Sequence, residues 1–419
     1  MKTDAAALWI LSVIALAPAT VRASTAEQRA KLTPSDAWTT IQFGTDVAIS
    51  DNIAIVGTLG NYANGIRSES AYLFDVTSGS QLAKLVPTDG ESTDLFGASV
   101  GISGNTAIVG AYYDDVYGTD SGSAYVFDTA SGSQLAKLVP SDGQAGDQFG
   151  GTVAISGNIA IVGAPLDDGN GSNSGSAYLF DVASGAQIAK LLPNDGESSD
   201  FFGESIAISG NIAIVGASGD DDNGSSSGSA YLFDATSGSQ LAKLMPSDGA
   251  KDDFFGWSVA ISGNMAIVGA WYDEVNGSTS GSAYVFDVAT GVQLAKLTPS
   301  DASISDRFGT SVGISGNWVV VGAGGDNASG LSSGSAYLFD ITSGAQLAKL
   351  TPSDGAAWDG FGDAIAISGN TVVVGAGRKN LGGSAYLFSV VPEPSALLLG
   401  ALSSGVLLAR RRFSLSACP

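Results

Sequence analysis

FGGTVAISGNIAIVGAPLDDGNGSNSGSAYLFDVASGAQIAKL, residues 149–191, decides the fold. Four short stretches in it are rich in β-branched and aromatic residues, with turn residues between them. Gly151–Ser156, Ile159–Ala164, Ser176–Asp181 and Gln187–Leu191 each read as a β-strand. Ser156-Gly157-Asn158 is a tight turn in which glycine takes positive φ without steric penalty. The first strand carries small apolar residues, which suits a crowded inner edge.

The same unit recurs along the chain. Its Phe-Gly pair returns at Phe43, Phe96, Phe149, Phe202, Phe255, Phe308 and Phe361, always at an interval of 53 residues. A Ser-Ala-Tyr triplet follows, with Tyr72, Tyr125, Tyr178, Tyr231, Tyr284, Tyr337 and Tyr386, and only its last interval is short, by four residues. One four-stranded sheet cannot bury both its faces, whereas seven arranged radially can. The expectation is an all-β, seven-bladed β-propeller over residues 28–389, with four antiparallel strands per blade. The seventh copy stops after its third strand, Ser384–Ser389. The missing fourth strand stands at the other end of the chain as Gln28–Leu32, QRAKL, where Arg29 replaces the leucine of the other copies. That N-terminal strand would complete the last blade and close the ring. An open solenoid is the alternative, but it needs capping repeats and has no use for a split one.

Composition agrees with many short strands: 57 glycines, 44% apolar residues and only 14% charged. The formal net charge of −23 repels phosphate backbones and argues against nucleic acid as a partner. Cys418 is the single cysteine, so the chain forms no internal disulfide. Histidine is absent, which removes every Ser-His or Cys-His arrangement. The acidic residues recur around the ring and do not converge as one unique pair, so no enzyme and no catalytic residue is expected.

The two ends read differently from the body. Met1–Ala23 has a lysine start, the apolar run Ala5–Ala17 and small residues before Ser24, the pattern of a signal peptide cleaved after Ala23. A buried N-terminal helix is the alternative. Residues 390–419 hold Pro392-Glu393-Pro394, an apolar run Ser395–Ala409 and Arg410-Arg411-Arg412. The arginines would stay cytoplasmic and hold the short segment transiently in the inner membrane. This tail resembles a PEP-CTERM sorting signal. The resemblance implies processing by an exosortase in a Gram-negative bacterium that makes extracellular polysaccharide, with delivery to the cell surface or matrix. A plain C-terminal membrane anchor is the alternative.

The body resembles FG-GAP repeats, as in the propellers of integrin α-subunits. Phe149-Gly150, Gly163-Ala164-Pro165 and the Gly-Ser-Ala-Tyr-Leu-Phe strand carry the likeness. The family often places an aspartate-rich calcium loop between strands one and two. That loop is here only Ser-Gly-Asn, as at Ser103-Gly104-Asn105, so those calcium sites do not carry over.

Antiparallel strands put the one-to-two and three-to-four turns on one face and the longer loops on the other. Long loops on a rigid scaffold are the usual place for binding. They are acidic here, and Asp220-Asp221-Asp222-Asn223-Gly224 is the best calcium candidate, through Asp220, Asp222 and Asn223. The alternative is that these residues build turns and keep the surface soluble. The pattern breaks between copies seven and one. Trp38, Tyr62, Arg67, Trp358, Arg378 and Lys379 are expected to gather there, in reach of a glycan or an envelope protein. Drift of loops at the seam is the alternative. The expected function is an exported binding or adhesion propeller. A structural matrix protein without a discrete ligand, or a propeller enzyme acting on polysaccharide, are the other readings.

Overall fold

A computed structural model describes residues 25–36, 42–59, 70–91, 93–275, 278–379 and 382–391. The proposed leader, the tail with Pro392, Glu393, Pro394 and Arg410–Arg412, and Trp38, Tyr62 and Arg67 lie outside the described residues.

Residues 25–391 form one unit of seven four-stranded antiparallel sheets, the seven blades. Blade one holds Phe43–Ser50, Ile53–Thr58, Ser70–Asp75 and Gln81–Leu85. Blade three holds Thr152–Ser156, Ile159–Ala164, Ser176–Asp181 and Ala186–Leu191, within one residue of the sequence reading at each end. Blade five carries an addition that the repeat did not announce. A small hairpin, Glu274–Val275 with Ser278–Thr279, rises from its long loop.

Blade seven is the split one. Ala364–Ser368, Thr371–Ala376 and Ser384–Val391 are completed by Thr25–Leu32 from the start of the chain. The pairing runs antiparallel from Thr25 opposite Val391 to Leu32 opposite Ala385. Both strands therefore extend slightly past the Gln28 and Ser389 limits expected from the repeat, because backbone pairing continues where side-chain similarity stops. Gln28 also fills its repeat role: its Oε1 accepts the Ser353 N–H at 2.8 Å, as Gln187 accepts Ser141 in blade three.

Burial explains the strand types. The second and third strands lie between neighbouring blades and are covered on both faces, so they are continuously apolar. Each apolar cluster joins two blades. Ile161, Leu179 and Leu191 of blade three pack on Phe202, Val215, Tyr231 and Phe233 of blade four. The same packing joins Ala364, Val373 and Leu387 of blade seven to Phe43, Val56 and Tyr72 of blade one, with Leu32 between them. The ring is thus closed by core, not only by hydrogen bonds.

The phenylalanine of each Phe-Gly pair is the centre of this packing. Phe149 is fully buried and meets Tyr178 and Phe180 edge-on at 5.4 and 5.8 Å between centroids. The glycine after it has φ of +91°, and a Cβ there would lie 2.2 Å from the Ser123 carbonyl oxygen. No other residue fits that approach. The outer strands carry a bulge that skips one residue, Ile188 in blade three and Arg29 in blade seven. A bulge of this kind disrupts an otherwise pairable edge.

Candidate functional site

The acidic loops are built around lysines. In blade four, Lys243 Nζ lies 2.8 Å from Asp195, 2.9 Å from Asp220 and 2.6 Å from Asp222. Asp220 is buried and also accepts hydrogen bonds from Tyr231 Oη at 2.7 Å and Ser229 Oγ at 3.0 Å. Burial pushes the Asp220 carboxyl up, but Lys243, Tyr231 and Ser229 outweigh it and hold the group below its usual range. The Asn223 side chain turns to the Met245 sulfur at 3.7 Å. Two of the three residues read as a calcium loop, Asp220 and Asp222, therefore face an ammonium. Among the described residues no group of three or more acidic or cysteine side chains is arranged to hold a metal ion.

The arrangement repeats. Lys137, Lys190, Lys296 and Lys349 each bridge two aspartates, one in the loop before the blade and one after strand two. Their ammonium groups also lie 5.0–5.2 Å from the ring centre of the strand-three tyrosine. Lysine and its partners are far apart in sequence and meet because the sheet brings strand four beside strand three.

A second carboxylate stands behind each network, just before the Phe-Gly pair. Burial, followed by a neighbouring aspartate, pushes Asp147, Asp200, Asp253 and Asp306 up to about 6. In blade seven the repeat substitutes Lys379 for the inner aspartate. Lys379 is buried, with Nζ 2.5 Å from Asp359 Oδ2 and 2.6 Å from the Asp354 carbonyl oxygen. This corrects the reading of Lys379 as a surface group at the seam: its ammonium is buried and turned to Asp359 and the Asp354 carbonyl. Trp358 is 59% exposed, with its backbone N–H on the Leu331 carbonyl at 2.8 Å. Arg378 turns to Asp363 at 3.1 Å. The three described seam residues thus have separate surroundings.

Asp363 leads to the axis. The first strands of all seven blades line a central cavity of about 340 Å³. The position two residues after each phenylalanine is Thr45, Ala98, Gly151, Glu204, Trp257, Thr310 and Asp363 in turn. Seven-fold regularity is lost there. Trp257 lies 5.5 Å from Trp271, and Phe254 stacks on Trp271 at 5.7 Å with Tyr272 beside it at 5.2 Å from the same indole. The Arg307 guanidinium of the next blade lies over the Trp271 ring at 5.5 Å. Asp363 occupies space left by Gly324 and Gly360, where a Cβ would come within 1.9 and 2.4 Å of its oxygens. Burial pushes its carboxyl up, while Arg378 and Arg307 act in the opposite sense. Glu204 receives a hydrogen bond from Ser218 Oγ, and burial raises it too. Deeper in, Asp46 accepts the Val100 N–H at 2.8 Å, and burial pushes it up to about 6.

Sequence reasoning looked for asymmetry at the seam and missed this sector on blades four to seven. The signal was present in the repeat, at the columns just before and just after Phe-Gly and just after Gly-Ala, where Arg307, Trp257, Asp363 and Trp271 are the outliers.

Compared with known families, the chain matches the model described as FG-GAP repeat over residues 26–74, 80–127, 133–180, 186–233, 239–286, 292–339 and 345–388. No curated protein gives a match.

Proposed function

Because the chain belongs to the FG-GAP repeat family, we propose that it is a non-catalytic binding propeller that engages a glycan or an envelope protein on its long-loop face. In this reading a Gram-negative cell exports it, and an exosortase sorts it through Pro392-Glu393-Pro394 and Arg410–Arg412. One observation carries the binding role. Among the described residues, the repeating charges of the long-loop face are spent on each other, whereas the channel mouth gathers partly exposed aromatic rings, arginines and carboxylates that break the repeat. A face needed only for solubility has no reason to concentrate its irregular residues in one sector. The test is binding of the folded protein to a glycan array and to envelope extract. Retention on either supports the reading, and a folded protein that retains nothing from both counts against it.

The matrix reading also has an observation in its favour. The residues skipped by the outer-strand bulges include Leu82, Leu135, Leu241 and Leu294, all more than half exposed around the rim. A belt of apolar side chains supports side-by-side association. Concentration-dependent assembly that is lost on replacing these leucines by serine would favour it.

A further inference from the structure

We infer that the mouth of the central channel is a binding site for a neutral pyranose unit of a polysaccharide, stacked against Trp257 and Trp271 and hydrogen-bonded by Asp363, Arg307 and Arg378. This rests on the binding role proposed above and names its ligand class and place.

The shape comes first. A cavity of about 340 Å³ lies at the small end of ligand pockets, roughly 300–1,000 Å³, and suits a sugar ring more than a folded peptide segment. Trp257 of blade five is the aromatic side chain of its lining, which Asp363 of blade seven shares, and further rings pack behind Trp257. Trp257, Trp271, Phe254 and Tyr272 all come from blade five, while the matching positions of blade six after strand two are Gly324 and Gly325. The room left by those two glycines is taken by the Asp363 carboxylate and the Ser305 carbonyl oxygen, so polar oxygens and no second aromatic wall stand at these positions. Trp271 Nε1 has no hydrogen-bond acceptor, although a buried indole N–H usually finds one. The indole is therefore not anchored there by its own polar contact.

The polar groups come next. Arg29, Arg307 and Arg378 are the arginines among the described residues, and two of the three act on the same carboxylate, Asp363. Arg307 makes no ion pair within 4.0 Å among the described residues, so its N–H donors remain available beside the indole face. Guanidinium donors next to carboxylate acceptors match the alternating hydroxyls of a sugar.

Charge then selects among sugars. Two arginines at the mouth oppose a cationic amino sugar. The body around them is strongly acidic, with a chain charge of −23, and opposes the approach of a polyuronate. A neutral ring meets neither barrier.

The experiment titrates the purified chain with neutral gluco-, galacto- and manno-oligosaccharides, with polygalacturonate and with chitosan oligomers. Binding is read by calorimetry and by tryptophan emission. The expected result is binding of a neutral oligosaccharide, little changed from about 50 to about 500 mM salt. Trp257→Ala, Trp271→Ala and Arg307→Ala should each weaken it by about ten-fold or more, with Trp257→Phe retaining part of it. Tyr117→Ala, in the long loop of blade two and 47% exposed, should leave it unchanged. Thermal melts show that each variant is folded, and Asp363→Asn serves if an indole variant is not. Glycan binding that survives both indole substitutions overturns this site but leaves the binding role intact. Salt-sensitive binding of polygalacturonate or chitosan alone overturns the neutral class. No carbohydrate binding, together with capture of a protein partner, overturns the inference while the proposed role stands.

Discussion

Lys379 Nζ lies 2.5 Å from Asp359 Oδ2, at a place where blades two to six have an aspartate in the lysine's position. Both side chains are 3% exposed. Blade seven thus replaces two facing carboxylates by an ion pair. Removing one partner of a buried pair typically destabilises by about 3–5 kcal/mol, because the other charge is left behind. Lys379→Met should approach that range in a urea denaturation. A change under about 1 kcal/mol would mean that water reaches Asp359 in place of the ammonium.

Buried carboxylates without a lysine partner set the pH dependence. Asp46, Asp147, Asp200, Asp253 and Asp306 are held at about 6 in the fold, chiefly by burial, against 3.8 for an ordinary solvated aspartate. Between these values the native state binds more protons than the unfolded one, so stability rises as pH falls from about 6.5 towards 4. Asp89, Asp142, Asp248 and Asp301 behave oppositely. Burial raises them, yet their lysines more than compensate and hold them below 3.8. Their contribution is present above 3.8 and is lost as pH falls further. Melting followed across pH should therefore give a maximum between about 4 and 5, and a midpoint at pH 7.5 above that at pH 5 would contradict this balance.

Ring closure through the N-terminal strand makes a third prediction. A chain beginning at residue 34 loses Leu32 from the core between blades seven and one and leaves Ser384–Val391 as an unpaired edge. The expected product melts well below the intact chain and self-associates through that edge, as read by light scattering. Adding a synthetic peptide of residues 25–33 should restore part of the lost midpoint.

Phe149→Ala should destabilise by about 3–5 kcal/mol, the usual range for a fully buried aromatic truncated in a core. Phe149 is 0% exposed and edge-packed on two rings. The equivalent Phe255→Ala should match it within about 1 kcal/mol, since Phe255 makes the same two contacts. Denaturant midpoints of the two variants check this.

The blades were legible because their signal is local and periodic. Phe149 and Tyr178 recur 29 residues apart in six copies and 25 apart in the seventh, and every copy places them in the same slot. The split blade was legible because Gln28–Leu32 still carries most of a fourth-strand sequence. The charges were harder. Asp220, Asp222 and Asn223 are neighbours in sequence and look like a metal loop, while Lys243, which fills that loop, comes from another strand. Lys379 looked like a basic surface loop until the repeat column placed it opposite Asp359. Trp257, Trp271, Arg307 and Asp363 come from three blades, and their meeting at the axis requires the closed ring.

The lysine at the centre of the acidic loop gives the sharpest test of what holds those loops. Lys243 is 14% exposed and faces Asp220 at 5%, whereas Asp195 and Asp222 are near half exposed. Lys243→Met leaves Asp220 without its counter-charge, and the two exposed carboxylates gain some relief from water. A loss of about 3 kcal/mol is expected, at the lower end for a broken buried pair. The vacated space is then lined by three carboxylates, the oxygen-rich surroundings that calcium prefers. An ion that binds only the folded state raises the midpoint with its concentration. The variant should therefore be restored in part by millimolar calcium, while the unaltered protein, whose loop already holds an ammonium, should not respond. A rise in the midpoint of the unaltered protein with calcium would show that the acidic loops bind the ion without displacing the lysine, and would refute this account of them.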